Sequence, residues 1–221
     1  MPTVLAVDGS VGALLIEAIV PGTMFLESTT FPVLDVARLL TSLHTTGKVD
    51  RSYPPLALRV AYLFDAWARH RRQQPELMLV VSQELLDRGR RLASSLAEQR
   101  SPTALLHGDL SALNVLYGGD RRGLVAIDPA PCLGDPAFDA IDLVLGPGLP
   151  AALWCADDVD TITARAASVA QLIGVEAKHL LDWCIAFAGM TASELASESS
   201  NDQGSEARIR TLLALAAHGA A

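Results

Sequence analysis

Residues 104–128 constrain this chain more than any other stretch. There the apolar residues stop recurring every three or four positions and gather into short runs split by polar loops. Leu105-Leu106, Val115-Leu116-Tyr117 and Leu124-Val125-Ala126-Ile127 read as short buried strands. Between the first two runs stands His107-Gly108-Asp109-Leu110-Ser111-Ala112-Leu113-Asn114, and the third run ends in Asp128-Pro129. Gly118, Gly119 and Gly123 mark the turn joining the second and third runs. An antiparallel hairpin symmetric about Arg121 sets Asn114 beside Asp128. An amide oxygen and a carboxylate sharing one cleft are hard ligands, suited to a Mg²⁺ ion that also keeps waters and substrate phosphates. Asp109, on the loop just before, is placed to take a proton from a hydroxyl held near that metal.

On both sides the pattern is helical. Thr30 and Pro32 read as an N-cap region and an early helical proline, followed by Val33, Val36, Leu39, Leu40 and Leu43 at helical spacing, which predicts a helix ending near His44. Two longer helices are expected over 56–73 and 76–98, punctuated by Pro75, and four more over 137–145, 159–173, 176–197 and 205–218, with a polar loop at 197–204. The basic run Arg69-His70-Arg71-Arg72 closes the helix over 56–73, where cationic side chains complement the helix dipole, so it reads as structural rather than as an anion site. At the front, runs over 4–7 and 13–19 flank a turn at 8–12 and read as a β-hairpin. A two-stranded ribbon is marginal alone in water, so it needs a larger sheet or a docking surface, and its free edge at 4–7 favours association.

Composition excludes several classes. With 221 residues, 50% hydrophobic and 19% charged, the chain is long and apolar enough to fill a core. Seventeen basic against 25 acidic residues, net charge −8, argue against a nucleic-acid partner, which needs clustered Lys and Arg. Cys132, Cys155 and Cys184 are three and far apart, so they suggest neither a disulfide framework nor a zinc site, and a reducing, cytoplasmic setting is expected. No basic segment opens the chain as a signal peptide would, and Gly146, Pro147, Gly148 and Pro150 interrupt the apolar stretch over 143–156, so no membrane span is expected.

His-Gly-Asp alone is a weak signal, and a lone Asn at a strand end is ordinary turn chemistry. HxDxxxxN followed by an apolar strand ending in Asp is the spacing that phosphoryl-transfer sites of the kinase type require. On that segment, and on Ala126-Ile127-Asp128-Pro129-Ala130-Pro131-Cys132-Leu133-Gly134-Asp135-Pro136-Ala137-Phe138-Asp139, the chain resembles the aminoglycoside phosphotransferase group of the protein-kinase-like fold. Within it, the streptomycin and hydroxyurea kinase branch is the most similar, through Asp-Pro followed by Gly-Asp-Pro-x-x-Asp.

The resemblance implies an α+β, protein-kinase-like fold, mostly the helical C-lobe with a short catalytic β-hairpin and a remnant N-lobe hairpin. Residues 1–20 would be that remnant and the hinge, and residues 21–221 the C-lobe with its catalytic loop at 103–140. The implied activity is ATP-dependent transfer of a γ-phosphoryl group to an alcohol group of a small antibiotic such as streptomycin, or to hydroxyurea. Asp109 would match the catalytic aspartate, His107 the loop-organising histidine, and Asn114 and Asp128 the Mg²⁺ ligands, while backbone groups near Glu17 and Ala18 would meet adenine. Asp135 reads as the cap of a helix starting at Pro136, and Asp139 as a tether of the loop. Asp157, Asp158, Asp160, Glu194, Glu198 and Asp202 make an acidic lobe that would suit a cationic aminoglycoside.

The chain departs from the family at Ser111, where a histidine is usual, at Leu113, where a glycine or polar residue is usual, and at Ala130, where a lysine is frequent. No Lys or Arg precedes Glu17, so the glycine-rich phosphate loop, the phosphate-binding lysine and its glutamate partner have no counterpart. A fragment or shortened protein with impaired turnover is therefore expected. The competing expectation is a non-catalytic kinase-like module that binds a small molecule or partner. A metal-dependent hydrolase is disfavoured because neither HxH nor HExxH occurs.

Overall fold

Helix positions follow from apolar stripes and from the residues that cap them. In a computed structural model, which describes residues 1–25, 32–99, 103–146, 158–198 and 203–218, the first stripe forms α1 (Val33–Thr46), burying Val36, Ala37, Leu39 and Leu40. The next forms α2 (Leu56–Gln73), with Leu56, Val60 and Phe64 inward. Thr30, Cys155, Asp157, Asp202 and the side chain of Glu198 lie outside the described residues.

The single helix expected over 76–98 is two, α3 (Leu77–Val80) and α4 (Gln83–Glu98). Val81 turns extended to bury its side chain completely, and Ser82 restarts the chain as an N-cap, its hydroxyl accepting from the Leu85 N–H at 3.2 Å. Arg71, buried in the last turn of α2, fastens this break by donating to the Val81 carbonyl. Arg71 of the basic run is thus structural, through this bond to a neighbouring segment rather than through the helix dipole that the sequence suggested.

The helix expected over 137–145 likewise divides, into a 3-10 turn over Pro136–Ala140 and α5 (Ile141–Leu145). Next come α6 (Val159–Ile173), α7 (Ala177–Glu198) and α8 (Gln203–Ala217). Asp158 caps α6 by accepting from the Thr161 N–H at 2.7 Å, so at least this acidic residue is engaged in a helix end. The core centres on α7, whose Leu180, Trp183 and Cys184 are fully buried, with Phe138 and Phe187 packed around Trp183 at ring separations of 5.5 and 6.2 Å. Among the described residues no helix is long and apolar enough to cross a membrane.

Three small antiparallel sheets complete an α+β fold. β1 (Val4–Asp8) pairs with β2 (Ala13–Ile16), β3 (Thr23–Met24) with β5 (Val115–Tyr117) and β5 with β6 (Leu124–Ala126), and β4 (Ala104–Leu106) with β7 (Cys132–Gly134). The first ribbon is the expected hairpin, though its second strand stops at Ile16 rather than Ile19, and every strand position in it is exposed. It is tied down at its base. Thr3 N–H donates to Glu17 Oε1 at 2.7 Å, Glu17 N–H donates to the Thr3 carbonyl at 3.0 Å, and Arg122 donates to the same Glu17 oxygen. The Arg122 guanidinium, with help from Thr3, holds the Glu17 carboxyl down at about 2.

β3 and β7 were not expected, since Thr23-Met24 follows the Pro21-Gly22 break and Cys132-Leu133-Gly134 lies between Pro131 and Pro136. β7 further depends on Gly134, where an added Cβ would lie 2.4 Å from Leu56 Cβ, so glycine is what lets α2 close on this sheet. Burial pushes the Cys132 thiol up to about 12 and raises Cys184 as well. Native protein at pH 8 is expected to leave both thiols unmodified by an alkylating reagent, and unfolded protein to react at both, as mass mapping of the labelled peptides will read.

Candidate active site

The loop over 107–114 begins where β4 delivers His107, and its shape is set from below. Asp139, almost wholly buried, accepts from the His107 N–H at 2.8 Å and the Gly108 N–H at 2.9 Å, and its Oδ2 also meets His44 Nε2 at 2.9 Å. This is the expected tether. Gly108 has φ +77°, and a Cβ there would stand 2.0 Å from the Ala130 carbonyl oxygen, so only glycine fits both the conformation and the space. Asp135 acts as the expected cap, accepting from the Ala137 N–H at 3.0 Å with Pro136 in the first turn. It also receives the Trp183 Nε1–H at 2.8 Å and contacts His179 Nε2, which locks the turn onto α7.

His107 faces this scaffold. Its Nε2 donates to the Ile127 carbonyl at 2.9 Å while Nδ1 accepts from the Asp109 N–H at 3.3 Å, and burial lowers its pKa, so the ring is neutral with its proton on Nε2. It organises the loop and does not border the cavity above it.

Asp109 does border that cavity, and its side chain is about half exposed, at 46%. Arg59 Nη2 donates to Asp109 Oδ1 at 2.8 Å, while Asn114 Nδ2 donates to the Asp109 carbonyl at 2.8 Å and lies 3.4 Å from Oδ2.

The hairpin register differs by one from expectation. Val115 pairs with Ala126 and Tyr117 with Leu124, and the Ile127 N–H donates to the Asn114 carbonyl at 2.9 Å, so Asn114 lies opposite Ile127 rather than Asp128. The turn closes through the Gly118 N–H and the Gly123 carbonyl at 2.7 Å, which centres it between Asp120 and Arg121. A one-residue slip ordinarily sends side chains to opposite faces. Here Asp128 adopts φ 55°, a left-handed conformation that turns it off the strand, and Asn114 and Asp128 border the same cavity.

The pair fits a divalent cation. With Nδ2 committed to Asp109, the Asn114 amide oxygen has no partner among the described residues, and neither has the Asp128 carboxylate. Unengaged hard oxygens from two side chains bordering one cavity suit a Mg²⁺ ion that keeps waters and phosphates. Glu17 and Ala18 stand elsewhere. They do not border this cavity, and the Glu17 amide is taken by Thr3.

The cavity measures about 370 Å³ and brings in Glu194 of the expected acidic lobe together with residues that no motif announced, among them Trp67 and Asp142. Asp142 occupies the first turn of α5, and burial together with the Asp109 charge pushes its carboxyl up to about 7. Its spacing of three from Asp139 was the one hint that both could serve the same region. Because the folded state holds this proton more tightly than the unfolded chain, its stabilising contribution is complete below about 3.8 and is lost as pH rises through about 7. Asp142→Asn is therefore expected to raise stability at pH 8 by roughly 2 kcal/mol, partial exposure being allowed for. The gain should vanish near pH 3.5, as thermal midpoints across that range will read.

A family model described as aminoglycoside/hydroxyurea antibiotic resistance kinase matches residues 2–198. Streptomycin 3''-kinase of Klebsiella pneumoniae is 34% identical over 125 residues, covering 54% of this chain and 45% of that protein. The chain thus spans less than half the length of this curated relative. Among solved structures, a choline/ethanolamine kinase family protein from Mesorhizobium loti superposes with TM-score 0.60 at 16% identity, covering 99% of this chain and 74% of that one. Ethanolamine kinase of Plasmodium vivax gives 0.58 at 13% identity, over 97% and 66%, and choline kinase LicA of Streptococcus pneumoniae gives 0.56 at 14% identity, over 98% and 75%. At these identities the likeness is one of fold.

Proposed function

Because the chain belongs to the aminoglycoside/hydroxyurea antibiotic resistance kinase family, we propose that it transfers the γ-phosphoryl group of ATP to a hydroxyl group of a small antibiotic. The observation that carries this reading is the convergence of Asp109, Asn114 and Asp128 on one cavity. Asp109 would accept the proton of the attacking hydroxyl on Oδ2, the oxygen that Arg59 leaves free. Asn114 and Asp128 would hold Mg²⁺, which when bound neutralises phosphate charge. His107 and Asp139 keep the loop in shape, and Asp139 does so without side-chain exposure. Glu17 and Ala18 are the proposed adenine contacts, with residues 1–20 as the N-lobe remnant and hinge and 21–221 as the C-lobe.

On the acceptor side, Glu194 gives the wall negative charge, to which Asp142 adds above about pH 7, and Trp67 gives it apolar surface. A cationic, ring-bearing aminoglycoside suits that wall better than neutral hydroxyurea. The test is incubation with radiolabelled Mg²⁺-ATP and streptomycin, other aminoglycosides or hydroxyurea, followed over hours so that slow turnover registers. Labelled antibiotic is the expected result. ATP binding with no product from any acceptor would overturn the reading in favour of a kinase-like binding module.

A further inference from the structure

Arg59 has so far entered only as the donor that occupies Asp109 Oδ1. It stands on α2, some fifty residues before the catalytic loop, with its side chain only 15% exposed. Its Nε donates to the Gly108 carbonyl at 2.8 Å and its Nη2 to Asp109 Oδ1 at 2.8 Å, while its guanidinium carbon lies 5.6 Å from the centre of the Tyr62 ring. A planar fork that meets two acceptors at once fixes orientation as well as charge, which the single ammonium of lysine cannot reproduce.

Arg59 does not border the cavity, so it reaches Asp109 from the scaffold side. The other carboxylate oxygen is only loosely engaged, 3.4 Å from Asn114 Nδ2. We infer that Arg59 is a positioning residue for the base: it anchors Oδ1 and the preceding carbonyl, so that Oδ2 is the oxygen presented to the acceptor hydroxyl. The inference rests on the role proposed for Asp109. Leu63 and Trp67, four and eight residues further along α2, border the cavity from the same helix face. One rigid helix therefore carries both the brace of the base and part of the acceptor wall, and it sets the distance between them.

Arg59→Gln is expected to lower kcat about 100-fold with acceptor KM held within about threefold, because the base is displaced while the binding wall stays. Arg59→Lys keeps the charge but loses the fork, and should fall between parent and Arg59→Gln. Amide hydrogen exchange over residues 107–114 should quicken in both variants, with the remaining helices unchanged. An undiminished kcat in Arg59→Gln, or a raised KM at constant kcat, overturns the inference. Should Arg59→Gln fail to fold, Arg59→Lys decides by the same two readings. If the parent chain transfers no phosphate to any acceptor, the proposed function fails separately, and exchange over 107–114 decides the anchor: quickened exchange upholds it and unchanged exchange removes it.

Discussion

Asp109→Ala is expected to lower phosphate transfer about 10³-fold or more while leaving the protein folded. The activity loss follows from position. Asp109 is a carboxylate that borders the same cavity as Asn114 and Asp128, with one oxygen held by Arg59 and the other only loosely engaged, 3.4 Å from Asn114 Nδ2. Retention of the fold follows from how the loop is held. His107 N–H and Gly108 N–H are anchored on Asp139, and the Asp109 main-chain carbonyl on Asn114, so the bonds that shape this segment survive removal of the Asp109 carboxylate. Half-exposed as it is, the side chain leaves little cavity when truncated. Single-turnover transfer and near-ultraviolet circular dichroism on the same preparation give the two readouts. Turnover within a factor of about 10 of the parent would remove Asp109 from the mechanism.

Asp139→Ala should do the opposite, damaging the fold first and activity in consequence. Its carboxylate has no exposed surface and engages the His107 N–H, the Gly108 N–H and His44. Deleting it leaves two main-chain donors and an imidazole without their acceptor inside the protein, a loss of about 3–5 kcal/mol. For a chain of this size that corresponds to a drop of about 10 °C in thermal midpoint. The surviving folded fraction should turn over poorly as well, because Gly108 and Asp109 are shaped from this one residue. A loss below about 1 kcal/mol would mean that water takes over the orphaned donors and that the tether is dispensable.

Much of this was legible in the residues themselves, wherever the determining partner lies a few positions away. The apolar stripes of α1, α2 and α6 depend on neighbours at three and four residues, and the capping of the Pro136 turn by Asp135 depends on a residue two positions away. The order His107, Asp109, Asn114, Asp128 pointed to the family and the chemistry because that spacing is itself the local geometry of a loop entering a hairpin.

What only the tertiary structure decided involves partners far along the chain or a backbone choice with no compositional mark. The break before α4 depends on burying Val81 and on Arg71 reaching it from another helix. The single-residue change of register is compensated by the left-handed Asp128, a conformation that aspartate tolerates better than most residues but that no local pattern announces. Arg59 and Asp142 carry no motif, because a helix surface looks the same in sequence whether it faces water or the Asp109 carboxylate. Periodicity alone determines which stripe turns inward. Which loop a particular arginine meets is settled by the packing of α2 against the β4 and β7 sheet, through a glycine at position 134 that has room for nothing larger.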